Sequence, residues 1–164
     1  MFRRLSVLLA LALPLFSLAS ETAMADELPA YTPDSNAERA DVPDAYQWNL
    51  GKLFDDDAAW KAAADALPAS IEGLAEYQGK LADGPTLLAC LDRYVELHSE
   101  VNKVTLYSNL QITTDSGDDA VQARNQQALA VLNQFMGAAS FVRNEILSLS
   151  EKDMGKAFKK SPAL

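Results

Sequence analysis

Apolar residues return at helical spacing along most of the chain after residue 55. The longest stripe has apolar residues at intervals of three, four or seven: Val121, Ala128, Leu132, Phe135, Ala139, Val142, Ile146 and Leu149. An earlier stripe comprises Leu88, Leu91, Tyr94, Val95, His98 and Val101, and Val104, Tyr107 and Leu110 carry it on. Such spacing gathers side chains on one face of a helix. No segment shows the sustained alternation of a strand, so the pattern predicts an all-α protein, an antiparallel array or bundle of helices.

Polar and helix-breaking residues indicate where the first helices begin and end. The acidic run Asp55–Asp57 predicts a helix start, with Asp55 as the N-cap. Pro68 is expected to kink or split this helix, which then resumes over residues 69–81. Pro85 is well suited to the first turn of the next helix.

The later helix boundaries carry similar signals. The acidic turn Asp115–Asp119 predicts the start of the long helix that holds the clearest stripe. Ser150 and Asp153 resemble a capping box, with Asp where Glu or Gln is usual, and predict one more helix.

The first 25 residues have the pattern of a signal peptide. Arg3 and Arg4 precede the apolar run 5–18, and Ala-Met-Ala at 23–25 forms an A-x-A cleavage signal. An uncleaved membrane anchor is the alternative, but the run is short for a membrane span and contains Pro14. We therefore expect an exported protein, periplasmic or secreted, with no stable membrane anchor after cleavage.

The composition of the remaining chain predicts a linker followed by one domain. Residues 26–41 are rich in turn formers and have no apolar period, which is typical of a flexible linker. Residues 42–164 would form the helical domain. Their first part, 42–54, is expected to be an extended or irregular arm that anchors its large apolar residues on the helices. These residues are Tyr46, Trp48, Leu50, Leu53 and Phe54.

The charge of the chain bears on its partners. The whole chain has 14 basic and 23 acidic residues, for a net charge of −9. Cleavage after residue 25 would remove Arg3, Arg4 and Glu21, which leaves 12 basic and 22 acidic residues and a net charge of −10. Because an acidic surface repels phosphates, we expect no nucleic-acid partner.

The sequence contains no complete catalytic, cofactor-binding or metal site. An H-E-x-x-H zinc site needs two histidines one helical turn apart, whereas His98 is the only histidine. We expect it to be a packed or hydrogen-bonded histidine. Cys90, the only cysteine, lies among leucines and is interpreted as a buried, inert thiol. The acidic runs 55–57 and 115–119 lack the spacing of a calcium loop and are better explained as helix caps.

The segment 42–60 carries a resemblance to a known family. It reads V-P-D-A-Y-Q-W-N-L-G-K-L-F-D-D-D-A-A-W and resembles the beginning of oligoendopeptidase F and its relatives, in the thimet-oligopeptidase-like group of zinc metallopeptidases. In that family a Pro, an aromatic pair around Trp and a Leu-x-x-Leu-Phe precede an acidic helix start and a second Trp. The matching residues are Pro43, Tyr46, Trp48, Leu50, Leu53, Phe54, Asp55 and Trp60. The likeness continues through the helix order to residue 164.

The resemblance implies the N-terminal lobe of a larger, mostly helical peptidase that cleaves internal bonds of oligopeptides. Such enzymes hold zinc with the two histidines of H-E-x-x-H and a downstream Glu, and the N-terminal lobe covers the channel without supplying ligands. The resemblance therefore implies that zinc belongs to a catalytic domain absent from this chain, and that the domain at 42–164 is truncated at its C-terminal end. It assigns no catalytic or metal-binding residue here.

A different class of function is also consistent with the helical pattern. The chain could be a self-contained exported helical protein that binds a partner or acts as a holdase. The two hypotheses differ in whether the reading frame continues past codon 164 to an H-E-x-x-H motif.

Overall fold

The computed structural model describes residues 28, 30–34, 37 and 41–164. The chain divides into two units, Met1–Pro33 and Asp34–Leu164. The described residues of the first unit, 28 and 30–33, form no helix or strand. The predicted signal peptide at 1–25 lies outside the described residues and stays a prediction.

The second unit consists of helices. Four α-helices follow one another in its described part: α1 Asp57–Glu72, α2 Gly84–Ile112, α3 Asp119–Ser148 and α4 Glu151–Lys160. Short 3-10 helices occur at Asp44–Tyr46, Leu50–Lys52 and Gly73–Tyr77, and no strand is present among residues 41–164. The predicted all-α fold is confirmed. None of the helices in the described part combines the length and apolar character that a bilayer crossing requires.

The helix starts follow the polar signals of the sequence closely. The N-cap of α1 is Asp56, whose carboxylate accepts a hydrogen bond from the Ala59 N–H at 2.8 Å, so the prediction of Asp55 is wrong by one residue. Asp83 caps α2, and Pro85 lies in its first turn as predicted. These caps satisfy backbone donors that the helix itself leaves unpaired.

The predicted capping box opens α4. The Ser150 hydroxyl accepts a hydrogen bond from the Asp153 N–H at 3.1 Å. The same hydroxyl donates to the Asp153 carboxylate at 2.7 Å. Glu or Gln would reach back to the backbone N–H of the cap residue. The shorter Asp bonds the cap hydroxyl instead.

Of the two outcomes expected at Pro68, a kink or a split, the split of α1 does not occur. The helix runs through it to Glu72, with buried side chains at Trp60, Ala64, Leu67 and Ile71. This stripe packs on both sides of the proline against the same core, which outweighs the lost backbone hydrogen bond. The expected helix over 69–81 is also wrong in its extent, because a 3-10 turn begins at Gly73.

The turn after this 3-10 helix is attached to α3. Gly79 has a φ of 77°, a left-handed conformation that glycine adopts at no steric cost. Its N–H donates to the Glu145 carboxylate at 2.6 Å. The chain can therefore reverse direction before α2 while remaining tied to the far end of α3.

The core lies between α1, α2 and α3. Its central link is Trp60, which is 2% exposed and donates from Nε1 to the Val104 carbonyl at 2.9 Å. The largest fully buried side chains are Trp60, Ile71, Leu74, Leu81, Leu97, Val101 and Val104. The core of α3 follows its predicted face, with Ala128, Phe135, Ala139 and Val142 buried.

The buried face of α2 is shifted from the predicted stripe in its first half. Leu87 and Leu97 are buried in place of Leu88 and His98, Leu91 is only partly buried, and Val95 is 64% exposed. Apolar side chains occur on two adjacent faces of this helix. The packing of α1, α3 and α4 around α2 decides which face is buried.

The arm before α1 is anchored by part of its predicted set. Leu50, Leu53 and Phe54 pack against the core, whereas Tyr46 is 40% exposed and Trp48 is 58% exposed. Phe54 makes an edge-to-face contact with Tyr107, with ring centroids 5.4 Å apart. Burial therefore begins at the 3-10 turn Leu50–Lys52, close to the start of α1.

Candidate functional site: a groove between two helices

An open groove of about 760 Å³ lies between α2 and α3. We call it the α2–α3 groove. Its α2 side is formed by Tyr94 and His98, and all its other lining residues come from α3. They are Leu132, Phe135, Met136, Ala139, Ser140, Val142, Arg143, Asn144, Ile146 and Leu147. The groove is therefore mainly apolar.

Three rings form an aromatic row along the groove. Tyr94 and His98 stack with centroids 6.0 Å apart and an interplanar angle of 7°. Phe135 lies 5.4 Å from Tyr94 and 5.9 Å from His98, centroid to centroid. The row joins α2 to α3 and gives the groove a stiff aromatic surface.

His98 fits the predicted role of a hydrogen-bonded histidine. Its ring lies 3.3 Å from the Asn102 side-chain nitrogen, one helical turn further along α2. Within residues 41–164 and the few described before them, no group of three His, Cys, Asp or Glu side chains could hold a metal ion. The described residues do not fit the zinc site that the resemblance implies for a complete enzyme.

The edge of the groove exposes apolar side chains and one cation. Met136 is 62% exposed and Leu147 is 71% exposed, which is high for large apolar residues of one helix. Arg143 lies between them along α3 and is the charged residue among those lining the groove. No carboxylate of the described residues forms an ion pair with Arg143.

A second cluster, the Asp57 cluster, consists of Asp57, Tyr107, Gln111 and Arg124. Asp57 Oδ1 accepts hydrogen bonds from Tyr107 Oη at 2.7 Å and Gln111 Nε2 at 3.1 Å. Arg124 Nη2 donates to Asp57 Oδ2 at 2.5 Å, and Arg124 Nη1 donates to Gln111 Oε1 at 2.6 Å. The cluster joins the start of α1 to the end of α2 and the start of α3.

The cluster shifts the ionisation of two of its members. Burial of Asp57 opposes ionisation, but hydrogen bonds from Tyr107 and Gln111 and the charge of Arg124 lower the pKa of Asp57 below its ordinary value. Burial and the nearby Asp57 carboxylate raise the pKa of Tyr107 to about 12. The Tyr107 hydroxyl donates to Asp57, and the bonds of Arg124 and Gln111 to the same carboxylate tie three helices together.

Cys90 lines neither the α2–α3 groove nor the Asp57 cluster. It is fully buried, as predicted, and belongs to a small core with Leu81, Leu87 and Val142. Burial and the charge of Glu145 raise the pKa of the Cys90 thiol. These surroundings oppose formation of the reactive thiolate.

Sequence reasoning predicted where most helices begin but missed both sites. Asp118 caps α3 by accepting from the N–H groups of Ala120 and Val121, as the acidic turn predicts. Asp57 was expected to act only through its position in the first turn of α1, yet its carboxylate bonds α2 and α3. Partners fifty or more positions away leave no local signal. The exposed α3 residues Met136 and Leu147 were visible only as apolar residues outside the main stripe.

Comparison with known proteins finds three oligopeptidases that are similar to this chain. Oligopeptidase PepF of Bacillus subtilis is 28% identical over 115 residues, which cover 70% of this chain and 17% of the relative. Group B oligopeptidase PepB of Streptococcus agalactiae is 28% identical over 116 residues, covering 70% of this chain and 19% of the relative. The plasmid oligoendopeptidase F of Lactococcus lactis subsp. cremoris is 22% identical over 120 residues, covering 72% of this chain and 20% of the relative.

These similarities confirm the resemblance to the oligoendopeptidase F family. The matched region spans about a fifth of the length of the curated relatives. No protein-family model and no solved structure matches the chain.

Proposed function

We propose that this chain is the N-terminal, non-catalytic lobe of an exported zinc-dependent oligopeptidase that hydrolyses internal bonds of short peptides. The observation that carries the proposal is the similarity of about 70% of the chain to a fifth of three oligopeptidases. On this proposal, zinc and its ligands belong to a catalytic domain outside these 164 residues.

The proposed role of the lobe is physical. A compact helical lobe over a peptidase channel narrows it, excludes folded proteins and helps to close over the substrate. The Asp57 cluster and the Trp60 contact hold α1, α2 and α3 together, so the lobe would move as one body when it closes.

A second candidate is a self-contained exported helical protein that binds a partner or acts as a holdase. The observation that favours it is the exposure of Met136 and Leu147 beside the α2–α3 groove. Such exposed apolar side chains often mark a binding surface. The same surface is expected on a lobe that packs against the remainder of an enzyme.

The reading frame and the activity of its product test the proposal. We expect the frame to continue past codon 164 and to reach an H-E-x-x-H motif. The product of that whole frame should cleave an internally quenched oligopeptide in a chelator-sensitive way. The purified chain alone should neither retain zinc nor cleave the peptide. A stop codon directly after Leu164, or zinc-dependent cleavage by the chain alone, would contradict the proposal.

Export needs its own measurement. We expect a bacterial host to release the protein from its cytoplasm with Asp26 as the first residue, because the A-x-A signal ends at Ala25. Fractionation followed by N-terminal sequencing reads this directly. Retention of Met1 in a cytoplasmic fraction would contradict the proposed compartment.

A further inference from the structure

We propose that the α2–α3 groove is the docking site of an amphipathic helix that carries a carboxylate beside its apolar stripe. The inference rests on the proposed function, because the helix would belong to the part of the peptidase that these 164 residues do not span. It concerns a surface of this lobe and not the chemistry of the enzyme.

The groove lies on the side of α3 that α1 does not cover. The α3 residues Gln127 and Gln134 face α1, with hydrogen bonds to the Asp65 carboxylate at 2.8 Å and to the Pro68 carbonyl at 3.5 Å. At about 100° per residue, Met136 lies roughly opposite these two side chains on the helix. The helix pair α2–α3 therefore presents two faces, one filled by α1 and one open.

The dimensions of the open face suit another helix. Its α3 wall extends from Leu132 to Leu147, a rise of about 22 Å at 1.5 Å per residue. That length matches about four helical turns. It is close to the length of α1, the 16-residue helix that packs on the other face. Aliphatic side chains of a docked helix would contact the rings of Tyr94 and His98, which Phe135, itself only 2% exposed, joins to α3.

The charges of the groove select the chemistry of the docking helix. Arg143 has no ion-pair partner among the described residues, while the chain as a whole carries a net charge of −9. A carboxylate placed opposite Arg143 would give this guanidinium the ion-pair partner that the lobe itself does not supply.

The same charges argue against a second copy of this chain in the groove. A symmetric dimer through this face would bring two copies of the same lining residues together. Arg143 would then meet a surface whose lining residues include no carboxylate. A helix of different sequence, with its own acidic residue, matches the groove better.

A pair of designed peptides tests the inference with the purified chain. Each is a synthetic helical peptide of about 15 residues with a leucine stripe, and glutamates flank the stripe in one while lysines replace them in the other. Fluorescence anisotropy at physiological salt measures both affinities. We expect the glutamate peptide to bind about fivefold more tightly. The net negative charge of the chain favours the lysine peptide nonspecifically. A preference for the glutamate peptide would therefore indicate binding at Arg143 in the groove.

Surface variants locate the binding site. Arg143→Glu should reverse the preference between the two peptides, whereas Lys52→Glu, an equal charge change outside α2 and α3, should leave it unchanged. Met136→Lys should weaken both peptides about tenfold, because it removes an apolar contact from the groove. Phe158→Lys is the matched control, since Phe158 is a 49% exposed apolar residue on α4. All four side chains are exposed, so circular dichroism should report unchanged folding.

Several results would overturn the inference. The first is equal affinity of the chain for the two peptides. The second is peptide affinity that stays unchanged in the variants Arg143→Glu and Met136→Lys. The third is a dimer of the chain that dissociates when Met136→Lys is introduced. A reading frame that ends after codon 164 would instead defeat the proposed function. If the frame ends there and the chain still prefers the glutamate peptide, the docking helix would belong to a separate protein. That result would overturn the proposal that the helix is part of the same peptidase.

Discussion

Tyr107 donates a hydrogen bond to Asp57 across 2.7 Å and so joins residues that are fifty positions apart in the chain. Asp57 is the first residue of α1, and Tyr107 lies near the end of α2. Arg124 of α3 completes the contact by pairing with the same carboxylate. The ends of three helices therefore meet at one carboxylate, which fixes the position of α1 over the core.

Removal of the Tyr107 hydroxyl should loosen this junction. Tyr107→Phe retains the ring contacts with Phe54 and Trp60 but takes one donor from Asp57. We expect a loss of about 1–2 kcal/mol in the free energy of unfolding, measured by urea denaturation. Tyr77→Phe is the control, since the Tyr77 side chain has no hydrogen bond in the described structure. Equal stability of the two variants would contradict the importance of the contact.

Stability should fall at alkaline pH partly through Tyr107. The pKa of Tyr107 is raised to about 12, whereas an unfolded tyrosine has a pKa of about 10. A raised folded-state pKa gives stability that is complete below the unfolded value and is lost as pH rises through the folded value. The stability difference between wild type and Tyr107→Phe should therefore shrink from pH 10 to pH 12, read from urea midpoints. A constant difference over that range would contradict the shift.

The two glycines Gly84 and Gly137 should respond to alanine in opposite directions. A Cβ on Gly84 would lie 2.4 Å from the Ala157 carbonyl oxygen, so Gly84→Ala must push α4 away from α2. We expect it to cost about 1–3 kcal/mol. A Cβ on Gly137, inside α3, meets nothing within 4 Å, so Gly137→Ala should stabilise the chain by about 0.5–1 kcal/mol. Thermal unfolding of both variants measures the contrast, and a shared sign would refute it.

Replacement of the two tryptophans should change stability by very different amounts. Trp60→Phe removes buried ring volume and the hydrogen bond to the Val104 carbonyl, and we expect it to cost about 2–3 kcal/mol. Trp48 is 58% exposed, so Trp48→Phe should change stability by less than about 0.5 kcal/mol. Chemical denaturation of the pair checks both values. A large effect at Trp48 would mean that the arm is anchored by that ring after all.

The sequence predicted the helices because their signals are local. Caps such as Asp83 and Asp118 act within the first turn that follows them. The stripe of α3 is periodic enough to identify its buried face. Predictions failed where distant packing decides the outcome: the split of α1 at Pro68, one of two expected outcomes, does not occur, and α2 buries Leu97 in place of His98.

By itself, the sequence determined the all-α class, most helix starts, the burial of Cys90 and the resemblance to oligopeptidases. Those properties depend on periodicity, on residues a turn apart and on the order of short motifs. Only the tertiary structure decided that Asp57 bonds Tyr107 and Arg124, and that Met136 and Arg143 lie along an open groove. The physical reason is that both sites join separate helices, and helical spacing sets the faces of each helix without setting which helices meet.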